Sequence, residues 1–479
     1  GRMSAREIDG GRNGGRAGLP MATPAGADEL VRELCTRSRF VTSKSEFLEL
    51  ADRLQRALAD RFSGAYGSSA FGRLLALKVT NLAVARHHFE HRHTDLASRP
   101  VQLMLDPANN CHLSCPGCVH TANPERSGQY DWPGGLLSAS VYADFLARLG
   151  PFGFGAVFYN YGEPLLNKQT PAMIRSAKNY LLHTCISTNF SLPIDAEALV
   201  GCGLNFIFLS IDGATQEGYS RFRRGGDLAL ILANVRKLLA ARERRGSNVP
   251  YILWRFLTFE HNLAEVDEAI RIATDLGVDQ ISISTPFAVD WDDPSVRVAR
   301  SEREGIHLLR PGATFKGPLD DWRQVELPES AIDEQFELPW AERLAERSVE
   351  EPSRNGTSTC PWLYQSLTLD ARGRVMPCCM PPDKGLHRVY GSLPGDGPLL
   401  FNEPDYRMSR LAFADRGEFD AVGGQLSSQD VPFCAICTAN PELTYALERD
   451  VSRDLALLDS QGLISPASLD ALTLWPRSR

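Results

Sequence analysis

The sequence predicts an α/β protein built on an open, partial barrel of parallel strands, with a helical region before it and a small cysteine-bearing module after it. Two observations carry this prediction. From residue 99 to about residue 285, buried strand-like runs alternate with helical stretches, which is the pattern of a parallel sheet with helices on its outside. The eleven cysteines are clustered rather than spread, with three between residues 111 and 118 and five between residues 360 and 437, which favours metal or redox chemistry over a disulfide framework.

Length and composition bound the answer further. The chain has 479 residues, enough for two to three folded units, and its 43% hydrophobic and 23% charged residues are typical of a globular protein. A net charge of −8 counts against a nucleic-acid partner. No apolar run approaches the roughly 18 residues of a membrane span or forms a signal-peptide core, so we expect no membrane partner and a cytoplasmic location.

The first 98 residues divide into two parts. Residues 1–26 are rich in Gly, Ala and Arg and are predicted to be a disordered leader. Residues 27–98 are predicted to be a helical N-terminal region, because apolar positions between Glu46 and Phe62 recur at helical spacing after a capping pair, Ser43 and Glu46. We expect this region to be a packing layer on the barrel.

The barrel is predicted over residues 99–289 from six strand-like runs: VQLMLD, GAVFYN, TCISTN, FIFLSID, ILWRFLTF and QISIST. Six strand–helix units form an open barrel with its active site at the carboxyl ends of the strands. Residues 290–355 are charged and punctuated by prolines, which predicts a linker with short helices. The cysteine-bearing module follows at 356–445, and residues 446–479 are predicted to be a C-terminal helical tail.

The first cysteine motif stands directly after the first strand. Cys111, Cys115 and Cys118 have the spacing C-x3-C-x2-C. Three thiolates this close hold one iron–sulfur cluster and leave one metal position open, which is the arrangement of a catalytic centre. Zinc, with His112 or His120 as a fourth ligand, is the alternative that the spacing alone leaves open.

This motif resembles that of the radical S-adenosylmethionine (SAM) superfamily, where it holds a 4Fe–4S cluster whose open iron binds SAM. Short motifs at the following strand ends resemble the same family, in its order. The residues that match SAM-contacting positions are Gly162 and Glu163, Thr188 and Asn189, Ser210 and Asp212, and Arg223. The resemblance implies that Glu163 accepts hydrogen bonds from the SAM ammonium and that Arg223 binds the SAM carboxylate. The sequence departs from the family at Gly117, where an aromatic residue is common.

The second cysteine motif reads C-x12-G-x4-C around a predicted hairpin and is followed by C-x2-C. From spacing alone, four thiolates here suit either zinc or a fully ligated 4Fe–4S cluster. After a radical SAM core, the pattern resembles the single-cluster form of the SPASM/Twitch family. That resemblance implies an auxiliary 4Fe–4S cluster. Its implied ligands are Cys360, Cys378, Cys434 and Cys437, with Cys379 competing with Cys378 for one position.

The resemblance implies reductive cleavage of SAM to a 5′-deoxyadenosyl radical, with electrons from an external donor such as flavodoxin or ferredoxin. The leading expectation is hydrogen abstraction from a carbinol carbon of a sugar or aminocyclitol in antibiotic biosynthesis, leading to epimerisation or dehydrogenation. In an epimerisation, Cys379 is the candidate hydrogen-atom donor.

Two alternatives remain. The first is maturation of a ribosomally made peptide through a thioether or carbon–carbon crosslink. Such enzymes often carry a leader-binding winged-helix domain, and the helical character of residues 27–98 counts against it. The second is a non-enzymatic iron–sulfur or zinc scaffold, which the SAM-site residues disfavour.

Overall fold

The structure is a computed structural model that describes residues 43–120, 130–286, 293–313, 316–344, 350–354, 359–379, 384–395, 400–424, 426, 430–437 and 445–464. The predicted leader, the first residues of the predicted helical region and the end of the predicted tail lie outside the described residues. In the described part of the chain, no helix is both long and apolar enough to cross a membrane.

The strands and helices alternate along the middle of the chain. The strands are β1 Gln102–Leu105, β2 Gly155–Val157, β3 His183–Thr188, β4 Phe206–Ser210, β5 Tyr251–Leu257, β6 Gln280–Ser284, β7 Gly305–Leu308, β8 Ser366–Leu369, β9 Arg374–Met376 and β10 Gly391–Ser392. The helices are α1 Lys44–Tyr66, α2 Ser69–His91, α3 Ala139–Leu149, α4 Thr170–Lys178, α5 Ala196–Gly201, α6 Gln216–Phe222, α7 Leu228–Arg244, α8 Val266–Leu276, α9 Glu329–Glu337, α10 Trp362–Gln365, α11 Pro404–Ala414, α12 Arg416–Gly423 and α13 Tyr445–Ser460.

All the described strands join one sheet, in the order β10-β9-β8-β1-β2-β3-β4-β5-β6-β7. Strands β1 to β6 are parallel and follow chain order, which confirms the predicted partial barrel of six strand–helix units. Strand β7 pairs antiparallel with β6, so the predicted linker contributes an edge strand as well as helices.

The cysteine-bearing module is fused to the barrel through the sheet. Strand β8 pairs parallel with β1, with Gln102 opposite Ser366, and β9 returns antiparallel beside β8. At the ends of these strands, Asn109 donates to Asp370 at 3.3 Å and accepts from the Ala371 N–H at 2.8 Å. The module is therefore a continuation of the sheet and not a separately packed unit.

The barrel strands bury both faces, as expected for a parallel sheet. On β5, Ile252, Trp254 and Phe256 belong to the main core with the surrounding helices. The alternate residues Tyr251 and Leu253 belong to a second cluster on the opposite, inner face. The other buried members of this inner cluster are Cys185, Phe206 and Phe208.

The N-terminal region is helical over its described residues, as predicted. Helix α1 begins at the predicted cap, where the Ser43 hydroxyl accepts from the Glu46 N–H at 3.5 Å. A buried ion pair ties this helix to the linker, because the Lys44 ammonium lies 3.0 Å from Glu351, which also accepts from the Thr94 N–H at 2.7 Å. Burial alone would raise the pKa of Glu351, but Lys44 and Thr94 lower it to about 2. The pair thus stabilises the ionised carboxylate.

The C-terminal helix α13 docks on the sheet beside the barrel. The buried His183 ring, at the start of β3, lies 2.8 Å from an Asp454 oxygen on this helix. Such a buried polar contact fixes where the helix packs, because neither group has water as an alternative partner.

Candidate active site

Asp106, directly after β1, organises the loop that follows β2. It is fully buried, and its Oδ1 accepts the backbone N–H groups of Asn160, Tyr161 and Gly162 at 2.9, 3.2 and 3.1 Å. Burial raises the pKa of this carboxyl to about 7, against the effect of the three N–H donors. A Cβ on Gly162 would overlap the carbonyl oxygen of Ala108, so this loop passes against the first cysteine loop without room for a side chain. The sequence reading missed Asp106, although a lone carboxylate ending an apolar strand was the available signal.

Glu163 joins the ends of β2 and β3. Its carboxylate is buried and accepts from the Thr188 hydroxyl at 2.7 Å, the Leu165 N–H at 3.1 Å and the Asn189 N–H at 2.9 Å. Burial raises its pKa to about 7, while these donors oppose the shift. A carboxylate offers about four acceptor positions, so one remains after these three hydrogen bonds.

The first three cysteines lie together beside these loops. Burial raises the pKa of Cys111 to about 12, and the thiols of Cys115 and Cys118 are close enough to add to that shift. The Asn189 amide nitrogen lies 3.8 Å from the Cys111 sulfur. Gly117 has a positive φ of 74°, a conformation that favours glycine and that would strain the aromatic residue common in the family.

Arg223 connects the fourth strand end to the same cysteines. Its Nε lies 2.5 Å from Asp212, and its Nη1 lies 4.0 Å from the Cys115 sulfur. Asp212 is fully buried and also accepts from the Leu257 N–H at 2.7 Å. Burial opposes the charged guanidinium, but Asp212 raises the pKa of Arg223 above its usual value. Asp212 therefore positions Arg223. Ser210, the last residue of β4, is also buried.

The structure brings the sequence-predicted site residues into one continuous site, with Glu163 bonded to Thr188 and Asn189, and Arg223 to Asp212. The histidines of the zinc alternative are engaged elsewhere. His112 Nε2 lies 2.9 Å from the Ser191 carbonyl oxygen, and His120 Nε2 lies 2.9 Å from the Tyr161 carbonyl oxygen.

The second group of cysteines converges in the C-terminal module. Burial raises the pKa of Cys360 to about 12, with Cys378 and Cys437 close enough to add to the shift. Burial likewise raises the pKa of Cys434, with Cys378 and Cys360 contributing. Among the described residues, no three His, Cys, Asp or Glu side chains are gathered around a point that could hold a single ion. The mutual effects on pKa show that Cys360, Cys378, Cys434 and Cys437 are neighbours, and four neighbouring thiols suit zinc or an iron–sulfur cluster.

Cys379 lies between the two groups of cysteines. Its carbonyl oxygen accepts a hydrogen bond from the Tyr161 hydroxyl at 2.8 Å, which links the second module to the Gly162 loop. Burial raises the pKa of the Cys379 thiol to about 12; Cys378 adds to the shift and Arg388 opposes it.

Comparison with known proteins identifies this site. Residues 105–261 match the model of the Radical SAM superfamily. The chain is 28% identical over 382 residues to the PqqA peptide cyclase of Gluconobacter oxydans (strain 621H), an alignment that covers 76% of this chain and 98% of that protein. It is 30% identical over 180 residues to the pre-heme d1 synthase of Dinoroseobacter shibae, covering 36% of this chain and 40% of that protein. Streptococcus suis SuiB bound to S-adenosylmethionine has a TM-score of 0.41 and 12% identity, over 72% of each chain.

These relatives correct the expected substrate. The predicted sugar or aminocyclitol, as substrate and as partner, is wrong, because the relative that the chain matches over 98% of its length is a peptide cyclase. The sequence offered no residue that distinguishes a sugar hydroxyl from a peptide, since both are read by polar groups at the barrel mouth.

The match to the radical SAM model confirms two of the cofactors implied by the resemblance, SAM and the 4Fe–4S cluster that binds it. The match assigns residues 105–261 to a radical SAM domain, and the chain is therefore a radical SAM enzyme.

Proposed function

We propose that this enzyme is a peptide maturase that forms a crosslink, a thioether or a carbon–carbon bond, within a ribosomally made precursor peptide. The observation that carries this proposal is the similarity to a PqqA peptide cyclase over 98% of that protein's length. The 382 aligned residues extend well beyond the radical SAM domain at 105–261, so the similarity bears on more than SAM cleavage.

The first site supplies the residues that such a reaction requires. In this proposal Cys111, Cys115 and Cys118 hold the SAM-binding cluster, which with SAM supplies a carbon-centred radical that abstracts a hydrogen atom. Glu163 has one acceptor position left for the SAM ammonium. Arg223, held by its Asp212 partner 4.0 Å from the Cys115 sulfur, suits the SAM carboxylate.

The second group of cysteines is where we expect the electron released by the crosslinking reaction to go. Forming a crosslink removes two hydrogen atoms from the peptide: one leaves as a hydrogen atom to the deoxyadenosyl carbon, and the other leaves as a proton and an electron. That electron needs an acceptor near the substrate. We propose that Cys360, Cys378, Cys434 and Cys437 would hold an iron–sulfur cluster, which would supply such an acceptor when bound.

The described N-terminal residues carry none of the strands of a winged-helix leader domain. Residues 43–98 form α1, α2 and a connecting segment, with no strand among them.

The test is anaerobic turnover with SAM, dithionite and short peptides encoded beside the gene, measured by peptide mass spectrometry and by 5′-deoxyadenosine. A peptide that loses two hydrogen atoms in step with 5′-deoxyadenosine supports the proposal. The matched control is the variant in which the first three cysteines are alanine, which should leave the peptide unchanged. Turnover in which no peptide changes mass while a small polar alcohol is oxidised would refute it.

The ligand assignment has its own test. Cys378→Ala should lower the iron content by about four atoms per chain, the size of one cluster, whereas Cys379→Ala should retain them. The reverse result would move the ligand to Cys379. The hydrogen-donor role of Cys379 was an expectation for an epimerisation. A crosslink returns no hydrogen atom to carbon, so Cys379→Ala should form the crosslinked product at the wild-type rate.

A further inference from the structure

Arg255 is an arginine inside the barrel to which the proposed reaction has given no role. Arg255 lies in the middle of β5, is half-buried, and has its guanidinium carbon 4.5 Å from the centre of the Phe208 ring. Among the described residues, its side chain has no hydrogen bond or ion pair. The barrel arginines Arg223 and Arg242, by contrast, are each 2.5 Å from a buried aspartate.

The surroundings of Arg255 are those of an anion site. In the sheet register Arg255 stands between Ser210 on β4 and Ser282 on β6, and paired residues of parallel strands share a face. Arg255 therefore shares the inner face with two serines whose hydroxyls are hydrogen-bond donors. Below them is the aromatic and aliphatic cluster that contains Phe208 and Tyr251. The Arg255 guanidinium lies over the Phe208 ring and is flanked by the hydroxyl donors of Ser210 and Ser282. Such a group of donors suits an anion with oxygen acceptors.

The physical chemistry favours a carboxylate. A guanidinium removed from water without a partner is unfavourable, and an incoming anion removes that penalty. The Phe208 ring lies against the guanidinium, and a guanidinium has N–H donors enough for two parallel hydrogen bonds to a carboxylate. The carboxylate of SAM has a nearer candidate in Arg223, beside Cys115.

We propose that Arg255 binds the carboxylate of an aspartate or glutamate side chain of the precursor peptide and so places an acidic residue inside the barrel. This inference rests on the proposed function and refines it, because it names the chemical class of peptide segment that enters the barrel. A free peptide C-terminus has the same chemistry, and SAM carries a carboxylate too, so the test separates the three.

The test labels arginine with phenylglyoxal in the reconstituted, SAM-loaded enzyme and quantifies Arg255 modification by peptide mass spectrometry. The probes are N-acetyl-glutamate amide, N-acetyl-glutamine amide and N-acetyl-alanine. We expect the glutamate probe to protect Arg255 and the other two to leave it reactive. Equal protection by the glutamine probe, better protection by N-acetyl-alanine, or complete protection by SAM alone would overturn the assignment.

Variants give a second measurement. Arg255→Gln should raise the dissociation constant of the glutamate probe about 10- to 100-fold, the range for a lost hydrogen bond to a charged group. The SAM dissociation constant should stay that of the wild type. Arg236→Gln, an exposed arginine on α7, is the matched control and should bind the probe normally. A parallel loss of SAM affinity in Arg255→Gln would assign the residue to SAM instead. If the glutamate probe alone protects Arg255 but no peptide is crosslinked, only the maturase proposal is refuted. If a precursor is crosslinked even with glutamine at every acidic position, only this inference is refuted.

Discussion

Replacing Asp106 by alanine tests whether one buried carboxylate holds the SAM-binding loop in place. The change removes the acceptor of three backbone N–H groups in residues 160–162. At a net value of about 1 kcal/mol for each hydrogen bond, the loop loses about 3 kcal/mol. If the loop must be reordered when SAM binds, that cost becomes a rise of about 100-fold in the SAM dissociation constant. The cysteines are untouched, so the iron content should stay the same.

The measurement is anaerobic titration of SAM into reconstituted wild type, Asp106→Ala and Asp106→Asn, with iron content and thermal unfolding determined on the same samples. The asparagine variant is the matched control, because its amide oxygen can take the place of Oδ1 and accept all three N–H groups. We expect the affinity for SAM to be highest in the wild type, lower in Asp106→Asn and much the lowest in Asp106→Ala. Wild-type SAM affinity and melting temperature in Asp106→Ala would refute the reasoning, since the three hydrogen bonds would then contribute nothing measurable.

Three further predictions concern other groups. Replacing the first three cysteines together by alanine should leave about four irons per chain and abolish 5′-deoxyadenosine formation, and residual formation would refute the assignment of that cluster. Glu163→Gln should raise the SAM dissociation constant by about 10- to 100-fold without loss of iron, because the amide loses charge and sets a donor against an N–H that the carboxylate now accepts; unchanged affinity would remove the residue from the site. Glu351→Gln should lower the melting temperature above about pH 4.5, the ordinary pKa of a glutamate, because the folded chain stabilises the ionised carboxylate more than the unfolded chain does. The gap to wild type should narrow as the pH falls from there toward the folded pKa of about 2, and a gap that does not change with pH would contradict the ion pair's role.

The parts of the fold that depend on local pattern were predictable, and the parts that depend on distant pairing were not. Apolar strand runs and helical spacing predict β1 to β6, since each strand buries both faces regardless of its neighbours. The pairing of β8 with β1 joins residues more than 250 positions apart, and no local signal specifies which edge a hairpin finds.

The site shows the same division. The cysteines are recognised by spacing, because the cluster imposes it. Asp106 was missed because its three partners are backbone N–H groups, which have no sequence signature; its place at the end of an apolar strand was the one signal for it. From the sequence, Arg255 is only a charged residue within a strand. The strand register is needed to show that it shares a face with Ser210 and Ser282.

The pairing of β8 with β1 also means that the C-terminal module covers an open edge of the barrel. A chain cut before β8 would leave β1 with an unpaired, apolar strand edge, which is a template for pairing with other chains. Shortened versions that keep only the radical SAM domain should therefore aggregate for a reason unrelated to iron. Transplanting a different module onto this barrel would need a strand of matching length and register at the same edge before any cluster could be assembled in it.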